Sequence, residues 1–261
     1  MMSPLSMMAV DCIFLSHHHG DHVTGVPGLL QTMSLFSRQR PIRVFGPEGT
    51  VTMMERMSSI QDAEPCYPVE VRDLHPGDSL ESEDMTILAV GTDHTVPSLG
   101  YVLREKPRQG RFDADAARKL GVPEGPLYSD LQNGSSVTVT GRVVRPEDVL
   151  GPARRGRSFS YSGDTRPCAA FIEASEGVDL MVHEATFTDD GTDRAAESGH
   201  STARQAAEVC KQAGAGTLVL THISPRIEDD LVLENEASEV LEARNVVVAR
   251  DFDSLRIDYS E

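Results

Sequence analysis

The sequence predicts an α+β fold organised as one large domain, and three observations support this prediction. Short apolar runs rich in β-branched residues alternate with segments whose apolar residues recur at helical spacing. The 261 residues are enough to bury a substantial hydrophobic core. Ligand-type side chains follow several of the apolar runs directly. We therefore expect a single domain over residues 1–261 in which the strand ends carry the chemistry.

The order of strands and helices follows from these patterns. Strands are expected at Val10–Ser16, Ile42–Phe45, Val69–Leu74, Met85–Val90 and Leu99–Leu103, and near Phe159, Leu180, Leu218, Val246 and Leu255. Helices are expected at Val26–Ser37, Thr50–Ser59, Thr202–Ala213 and Glu234–Ala243.

The composition argues against a membrane or secreted protein. No apolar run approaches the ~20 residues that a membrane helix needs. The first ten residues lack a basic segment and contain Pro4, so a signal peptide is not expected. The four cysteines are scattered without a C-x-x-C pair, which predicts reduced thiols in the cytoplasm rather than disulfides or a cysteine zinc site.

Acidic residues dominate the chain, and lysine is rare. The formal net charge is −17, with 41 acidic residues, and only Lys106, Lys119 and Lys211 are lysines among the 24 basic residues. Such a surface suggests adaptation to a high-salt cytosol, although a GC-rich genome would also favour arginine over lysine. A net charge of this sign should repel a polyanion such as RNA.

Basic residues are concentrated in one segment, residues 104–157. This segment holds eleven basic and seven acidic residues, a net charge of +4, so the remainder of the chain carries −21. Its many glycines and prolines predict an irregular insertion with only one short helix, at Asp113–Leu120. Long insertions between core strands are usually functional or disordered. Charge alone therefore leaves an RNA-binding segment and chance variation as equal alternatives.

The most informative motif is the run His17-His18-His19-Gly20-Asp21-His22. It follows the apolar stretch Val10–Ser16, so it is expected where a buried strand ends and a loop begins. Strand alternation directs His17 and His19 to the same side, and the loop turns Asp21 and His22 toward them. These ligand types suit zinc or a similar divalent ion, and four are more than one open catalytic zinc needs. The spacing suggests two ions, whereas a fortuitous cluster or a tag remnant would lack the preceding strand.

Three further ligand-type residues follow predicted strands in the same way. His94 comes after Met85–Val90, Asp164 after the strand near Phe159, and His222 at the end of the strand near Leu218. Each residue alone would more often be structural. Together with the histidine run, these strand-end positions predict a binuclear metal site.

These residues make the sequence similar to the metallo-β-lactamase superfamily and, within it, to the tRNase Z group, endonucleases that remove the 3′ trailer from precursor tRNA. The resemblance runs from about Val10 to the C-terminus. It rests on the histidine run, His94, Ser162-Gly163-Asp164-Thr165, His183-Glu184-Ala185-Thr186, Gly199-His200-Ser201-Thr202 and Thr221-His222-Ile223-Ser224. The first motif is shared across the superfamily, and the His-Glu-Ala-Thr and His-Ser-Thr motifs are more particular to tRNase Z. The implied fold is the four-layer αβ/βα sandwich of the metallo-β-lactamases.

The resemblance also implies a zinc-dependent hydrolase with two zinc ions per subunit. The implied ligands are His17, His19 and His94 for one ion, Asp21, His22 and His222 for the other, and Asp164 as the bridge. Two such ions, ~3.5–4 Å apart, acidify a water between them and neutralise charge on a phosphodiester. In this scheme Asp21 would also orient or deprotonate the attacking hydroxide.

The implied acid is the pair His200 and Glu184, which would protonate the leaving 3′ oxygen. The products would be a tRNA 3′-hydroxyl and a 5′-phosphorylated trailer. A structural alternative for His200 is the start of a helix, because Ser201-Thr202 is typical of an N-cap. His18 and His75 are interpreted as structural, while His183 is left open between packing and support of the site. Thr221, Ser224 and Arg226 are left open between phosphate binding and a surface loop.

In tRNase Z enzymes the segment equivalent to 104–157 is a protruding arm, the exosite, which grips the tRNA elbow. Gly121-Val122-Pro123-Glu124-Gly125-Pro126 is similar to the family pattern there. The candidate RNA-binding residues are Lys106, Arg108, Arg111, Arg154 and Arg155. The family further implies a cytoplasmic homodimer in which one subunit's arm presents tRNA to its partner's site.

One feature departs from the family. Its members normally begin with further strands that carry a Gly-Thr-Gly turn and an Asp-Cys-Gly-Glu loop, whereas this sequence begins just before the first metal motif. That loop supports a ligand histidine, and such support can change metal affinity or activity 10–100-fold. Two alternatives to the tRNA endonuclease therefore stay open: a hydrolase of small phosphodiesters with the same fold, and an inactive RNA-binding fragment.

Overall fold

The computed structural model describes residues 5–59, 65–242 and 245–259. Contacts between residues divide the chain into two compact units. The larger unit comprises the described parts of Met1–Arg104 and Ser158–Ile257, and the smaller unit comprises Glu105–Arg157 with the described part of Asp258–Glu261. Each unit is considered by itself below.

The secondary structure alternates between short strands and helices. The strands are β1 Cys12–Phe14, β2 Ile42–Pro47, β3 Val69–Leu74, β4 Ser79–Glu81, β5 Met85–Gly91, β6 Leu99–Glu105, β7 Val137–Val139, β8 Arg142–Val144, β9 Ser158–Tyr161, β10 Leu180–Glu184, β11 Thr217–Thr221 and β12 Asn245–Val248. The α-helices are α1 Gly20–Val23, α2 Gly25–Leu35, α3 Thr50–Ser59, α4 Ala114–Lys119, α5 Pro126–Gln132, α6 Ala169–Ala174, α7 Thr192–Ser198, α8 Ala203–Ala213 and α9 Asp230–Leu241. Short 3₁₀ turns lie at Met7–Ala9, Pro146–Asp148 and Asp189–Gly191.

Two sheets build the larger unit. The smaller of these sheets contains β1, β2 and β3, all parallel. The other has seven strands in the order β12-β11-β10-β9-β6-β5-β4, with β9 to β12 parallel and β6 antiparallel to β9. Because parallel strands end at the same edge, the loops that follow β9, β10 and β11 leave the sheet side by side.

The hydrophobic clusters of the larger unit show four layers. One cluster joins α2 and α3 to the three-stranded sheet, and includes Leu30, Met33, Val44 and Met54. A second lies between the two sheets and includes Phe45, Leu74, Leu99 and Tyr101. The largest joins the seven-stranded sheet to α6, α8 and α9, and includes Phe171, Met181, Cys210 and Leu233. The order helix, sheet, sheet, helix confirms the αβ/βα sandwich that the sequence predicts.

Most predicted elements of the larger unit are present, with shifted ends. The expected helix Thr50–Ser59 and strand Val69–Leu74 have the predicted bounds. The expected helix Glu234–Ala243 begins earlier, at Asp230, because the Asp229 side chain accepts a hydrogen bond from Leu231 N and caps it. The helix ends at Leu241, and Ala243 lies outside the described residues.

The strand expected near Leu255 was wrong. Residues 249–259 contain no strand, and the seven-stranded sheet ends at β12. Leu255 and the neighbouring Phe252 are about half exposed. A strand at this position would therefore have no neighbouring strand to pair with and no apolar face to bury.

The smaller unit is more regular than its composition suggested. The expected helix Asp113–Leu120 is present as α4, but a second helix, α5, and the antiparallel hairpin β7–β8 were not expected. Glycine and proline lie at the junctions: Pro126 begins α5, Gly125 precedes it with φ 135°, and Gly141 turns the hairpin with φ 82°. The unit has its own core, which contains Ala117, Val122, Leu131, Val137, Val144 and Val149.

Within the part of the chain that the structure describes, every helix is too short or too polar to cross a membrane.

Candidate metal centre

The histidine run begins shortly after β1, following Leu15 and Ser16. His17 is fully buried, and His18 and His19 are partly buried. Asp21 and His22 lie in the first turn of α1, where the sequence predicted a loop. Backbone hydrogen bonds from His22 N to His19 O and from Thr24 N to Gly20 O, each 3.0 Å, close this turn, and the Thr24 hydroxyl also donates to Gly20 O at 2.7 Å.

The other three predicted ligands come from loops of the seven-stranded sheet. His94 lies in the loop after β5, Asp164 in the loop after β9, and His222 immediately after β11. Because β9, β10 and β11 are parallel, Asp164 and His222 flank Glu184, the last residue of β10. The structure thus brings together all seven residues predicted to bind metal.

Three imidazole nitrogens converge on one point. His17 Nε2 lies 3.1 Å from His19 Nδ1, which lies 3.3 Å from His94 Nε2. His94 Nδ1 lies 2.7 Å from the carbonyl oxygen of Gly199, and a carbonyl only accepts, so we assign the proton of His94 to Nδ1. His94 Nε2 therefore presents its lone pair to the cluster, as a metal ligand must.

A second group of donors gathers around Asp164. Its Oδ2 atom lies 3.2 Å from His22 Nε2, 3.3 Å from His222 Nε2 and 3.7 Å from His17 Nε2. Asp21 Oδ2 lies 3.5 Å from His22 Nε2, and the Asp21 side chain is 74% exposed. Asp164 is buried and contacts residues of both groups, which is the position that a bridging carboxylate requires.

The protonation states of His17 and Asp164 favour a cation beside them. Burial lowers the pKa of His17 to about 3, since the ring is desolvated and has other imidazoles beside it. Burial alone would raise the pKa of Asp164, but the hydrogen bond with His22 and the nearby imidazoles hold it at about 2. Near neutral pH His17 is therefore uncharged and Asp164 ionised, the forms that bind metal.

The donor sets fit divalent metal binding. Each of the sets His17, His19 and His94; His17, His22 and Asp164; and Asp21, His22 and His222 has its donor atoms within 4.8 Å of one another. Imidazole and carboxylate donors in three- and four-member sets are typical of zinc and related ions.

Next to this centre, Glu184 is a buried hub of hydrogen bonds. Its Oε1 atom accepts from Thr165 N at 2.9 Å, and its Oε2 atom accepts from Ser201 N at 3.1 Å. Its Oε2 atom also accepts from the backbone N and the hydroxyl of Thr186, at 3.2 and 2.7 Å. The carboxylate is thereby fixed by donors from three loops.

His200 is the ring that Glu184 holds. Its Nδ1 atom lies 2.8 Å from Glu184 Oε1, and its ring stacks on His222 with centroids 5.3 Å apart. Burial lowers the pKa of His200, but the hydrogen bond to Glu184 and its negative charge outweigh burial and raise the pKa above its ordinary value. A protonated imidazole beside a metal centre can act as a general acid.

His18 and His75, which were interpreted as structural, and His183, whose role was left open, occupy other positions. His18 points away from the cluster and lies 2.8 Å from Thr50 Oγ1. His183 is fully buried against Phe171, and its Nδ1 atom lies 2.8 Å from the carbonyl oxygen of Glu184. His75 precedes a turn at Pro76-Gly77 and is exposed.

The sequence did not predict Thr186 as a separate site residue, although it belongs to the His-Glu-Ala-Thr motif. Its hydroxyl lies 2.8 Å from His222 Nδ1 and 3.3 Å from His200 Nδ1. Ser16 Oγ and Gly199 O, which contact His17 and His94, were not predicted either. The one available signal was their position beside the motif residues.

The candidate RNA-binding residues all lie in the smaller unit. Lys106, Arg111 and Arg155 are exposed. Arg108 and Arg154 are partly buried and form an antiparallel bridge, with backbone N to O distances of 2.8 Å in both directions. The Arg108 guanidinium stacks on the ring of Tyr259.

The layers and the donor set together define a protein of the metallo-β-lactamase class. The profile of the beta-lactamase superfamily domain matches residues 2–117 and 132–223. The ribonuclease Z of Methanosarcina acetivorans is 46% identical over 260 residues, covering 99% of this chain and 85% of that protein. The ribonuclease Z of Haloarcula marismortui is 44% identical over 258 residues, covering 97% and 82%. This chain belongs to the ribonuclease Z family.

Solved structures agree with this assignment. The crystal structure of human tRNase Z, short form, aligns with a TM-score of 0.67 at 26% identity, over 98% of this chain and 82% of that one. A metallo-beta-lactamase fold protein from Bacillus subtilis aligns with a TM-score of 0.62 at 20% identity, over 95% and 77%, and shows the shared fold alone.

Proposed function

We propose that this chain is a metal-dependent endoribonuclease that removes the 3′ trailer from precursor tRNA. The cut would leave a tRNA 3′-hydroxyl and a 5′-phosphorylated trailer. The observation that carries the proposal is the gathering of His/Asp donors beside the buried His200–Glu184 pair. Kinship with ribonuclease Z at 46% identity supports the substrate.

The proposed cofactors are two zinc ions per subunit. His17, His19 and His94 would hold one ion, Asp21, His22 and His222 the other, and Asp164 would contact both. When bound, the ions would neutralise charge on the scissile phosphate and acidify the attacking water. The convergent nitrogens and the lowered pKa of Asp164 support this assignment.

The remaining residues of the site move protons. In the proposed reaction, water adds to phosphorus and the bond between phosphorus and the 3′ oxygen breaks. Asp21, exposed beside His22, would orient the water and accept its proton. His200 would donate a proton to the leaving 3′ oxygen, while the Glu184 carboxylate stabilises the imidazolium.

We assign tRNA binding to residues 104–157, with Lys106, Arg108, Arg111, Arg154 and Arg155 as phosphate contacts. The net charge of +4 in a chain of −17 supports this role, because phosphate contacts supply most sequence-independent affinity for nucleic acid. The compact fold of the smaller unit also supports a binding arm over a plain linker.

The test is cleavage of a 3′-extended precursor tRNA by the zinc-loaded chain. We expect a single cut at the 3′ end of the tRNA body, lost in Asp164→Ala. A second variant joins Arg108 to Arg154 by a short Gly-Ser turn, which their antiparallel bridge allows. It should lose precursor cleavage but keep hydrolysis of bis(p-nitrophenyl) phosphate.

The outcomes separate the alternatives. Turnover of the small ester without any precursor cleavage by the wild type would favour a small-substrate phosphodiesterase. A folded chain that binds no metal would favour a non-catalytic RNA-binding protein. Full precursor cleavage after removal of the arm would contradict the role given to residues 104–157.

We infer a cytoplasmic homodimer from the family resemblance. Mixing the Asp164→Ala chain with the arm-deleted chain tests the dimer. Cleavage returns only if the arm of one subunit serves its partner's site, and light scattering should give the mass of two chains. A monomeric mass with full activity would contradict the inference.

A further inference from the structure

Thr186 lies between the metal centre and the acid pair, and neither the family assignment nor the proposed mechanism gives it a role. Its side chain is buried, with 9% relative exposure. Its hydroxyl oxygen is 2.7 Å from Glu184 Oε2 and 2.8 Å from His222 Nδ1. A hydroxyl has one proton, so the direction of these two hydrogen bonds can be worked out.

The hydroxyl donates to Glu184. Glu184 Oε2 also lies within hydrogen-bond distance of two backbone N–H groups, those of Thr186 and Ser201, which can only donate. The oxygen is therefore an acceptor, and the shared proton belongs to the threonine. Charge-assisted hydrogen bonds of this kind are short, as the 2.7 Å distance is.

With its proton directed at Glu184, the hydroxyl accepts from His222. The His222 ring must then carry its proton on Nδ1, which leaves the lone pair on Nε2. Nε2 is the atom that faces Asp164 Oδ2, at 3.3 Å. The threonine thus sets the tautomer that a metal ligand at this position needs.

We propose that Thr186 is a positioning residue that ties His222 to the same carboxylate, Glu184, that holds His200. The inference rests on the proposed function only in taking His222 as a metal ligand. It predicts that one buried carboxylate orients both the acid and part of the metal centre. Loss of the hydroxyl would release His222 without removing the Glu184–His200 hydrogen bond.

The backbone makes His222 dependent on this contact. Its φ of 54° is in the left-handed region, which residues other than glycine rarely adopt. Such a conformation persists only where the surroundings hold it. The side chain is 31% exposed, so packing restrains the ring less than it restrains the buried His17.

The effect should be confined to one of the two proposed ions. His17 and His94 have their own contacts, to Ser16 Oγ at 3.1 Å and to Gly199 O at 2.7 Å, and neither involves Thr186. The ion held by His17, His19 and His94 should therefore keep its affinity. The ion held by Asp21, His22 and His222 should bind more weakly.

The experiment is a zinc titration of the full chain by calorimetry and chelator competition. In Thr186→Val, which keeps the shape but not the hydroxyl, we expect one of two binding events to weaken by about 10–100-fold. The other event should be unchanged, and Thr186→Ser, which keeps the hydroxyl, should bind both ions as the wild type does. A purely structural role would instead weaken both events together or lower the melting temperature alone.

Equal affinities in the valine variant and the wild type would overturn the proposal. If the valine variant does not fold, nitrogen NMR of histidine in the zinc-loaded wild type decides the matter. A His222 ring protonated on Nε2 would contradict it, and a ring protonated on Nδ1 would support it. These readouts do not use RNA, so failure to cleave tRNA would count against the proposed function alone.

Discussion

Three adjacent histidines, His17, His18 and His19, have three different environments although they are chemically identical. His17 is desolvated and its pKa falls to about 3, whereas His19 shares a cluster of nitrogens at the surface of the site. His18 faces the other way and contacts Thr50 Oγ1 at 2.8 Å. Alternation along an extended chain predicts this division. The particular partners depend on loops far away in the sequence.

A pH prediction follows from the fully buried His183. Burial lowers its pKa below the ordinary value of 6.5, so the unfolded chain binds a proton that the native chain does not. The free energy of unfolding is therefore highest above pH 6.5 and declines as the pH falls toward the native pKa. At pH 5.5 this residue should therefore lower the free energy of unfolding relative to its value at pH 7.

His183→Asn tests this prediction, because the amide can still donate to the carbonyl oxygen of Glu184 but does not titrate. Urea unfolding at pH 7 and pH 5.5, with chelator present, should show a smaller loss of stability in the variant. Equal losses in both proteins would show that His183 is already protonated in the native state.

At the scale of single residues, the sequence predicted the features that depend only on residue type and spacing. The ligand types and their spacing indicate a metal centre, and resemblance adds the His200–Glu184 pair. The role of Thr186 could not be predicted, because threonine in a short motif is usually a cap or a surface residue. Its role depends on hydrogen bonds to Glu184, two residues earlier, and to His222, which follows a different strand.

Among the elements, the junction between β2 and α3 is packed around a glycine. A Cβ atom at Gly46 would collide with Thr50 Oγ1 and approach Leu15 Cβ to 3.1 Å. Thr50 also donates to the carbonyl oxygen of Pro47 and contacts His18, so it has little room to move. We expect Gly46→Ala to lower the free energy of unfolding by about 1–3 kcal/mol.

The matched control is Gly28→Ala in α2. A Cβ atom there has nothing within 4 Å, and alanine is a better helix former than glycine. Unfolding in urea should show a gain of roughly 0.5–1 kcal/mol. If both variants changed stability in the same direction, crowding at Gly46 would not be the cause.

The prediction of strands and helices succeeded where the local sequence pattern allowed a single interpretation. The burial of Val69–Leu74 alternates as in a strand, and Thr202 is the N-cap of α8, as Ser201-Thr202 predicted. It failed in the smaller unit, where glycine and proline mark the ends of elements instead of excluding them. It also failed near Leu255, because a strand needs a neighbour that local pattern does not reveal.

For the whole molecule, the net negative charge should make the melting temperature depend on salt concentration. A net charge of −17 on 261 residues creates self-repulsion that salt screens, since the Debye length falls to about 3 Å at 1 M. We expect the melting temperature to rise between 0.05 and about 1 M KCl. A melting temperature that is unchanged would contradict high-salt adaptation and leave genome composition to explain the arginine bias.

The order in which the ligands occur along the chain has a consequence for biosynthesis. All three histidines of the first cluster are present once His94 has been made, whereas His222 follows β11, much later in the sequence. At roughly 5–20 residues per second, a ribosome needs on the order of ten seconds to travel from one to the other. A nascent chain cannot gather Asp21, His22 and His222 before β11 has emerged, so the donors of the proposed second ion come together later than the first cluster.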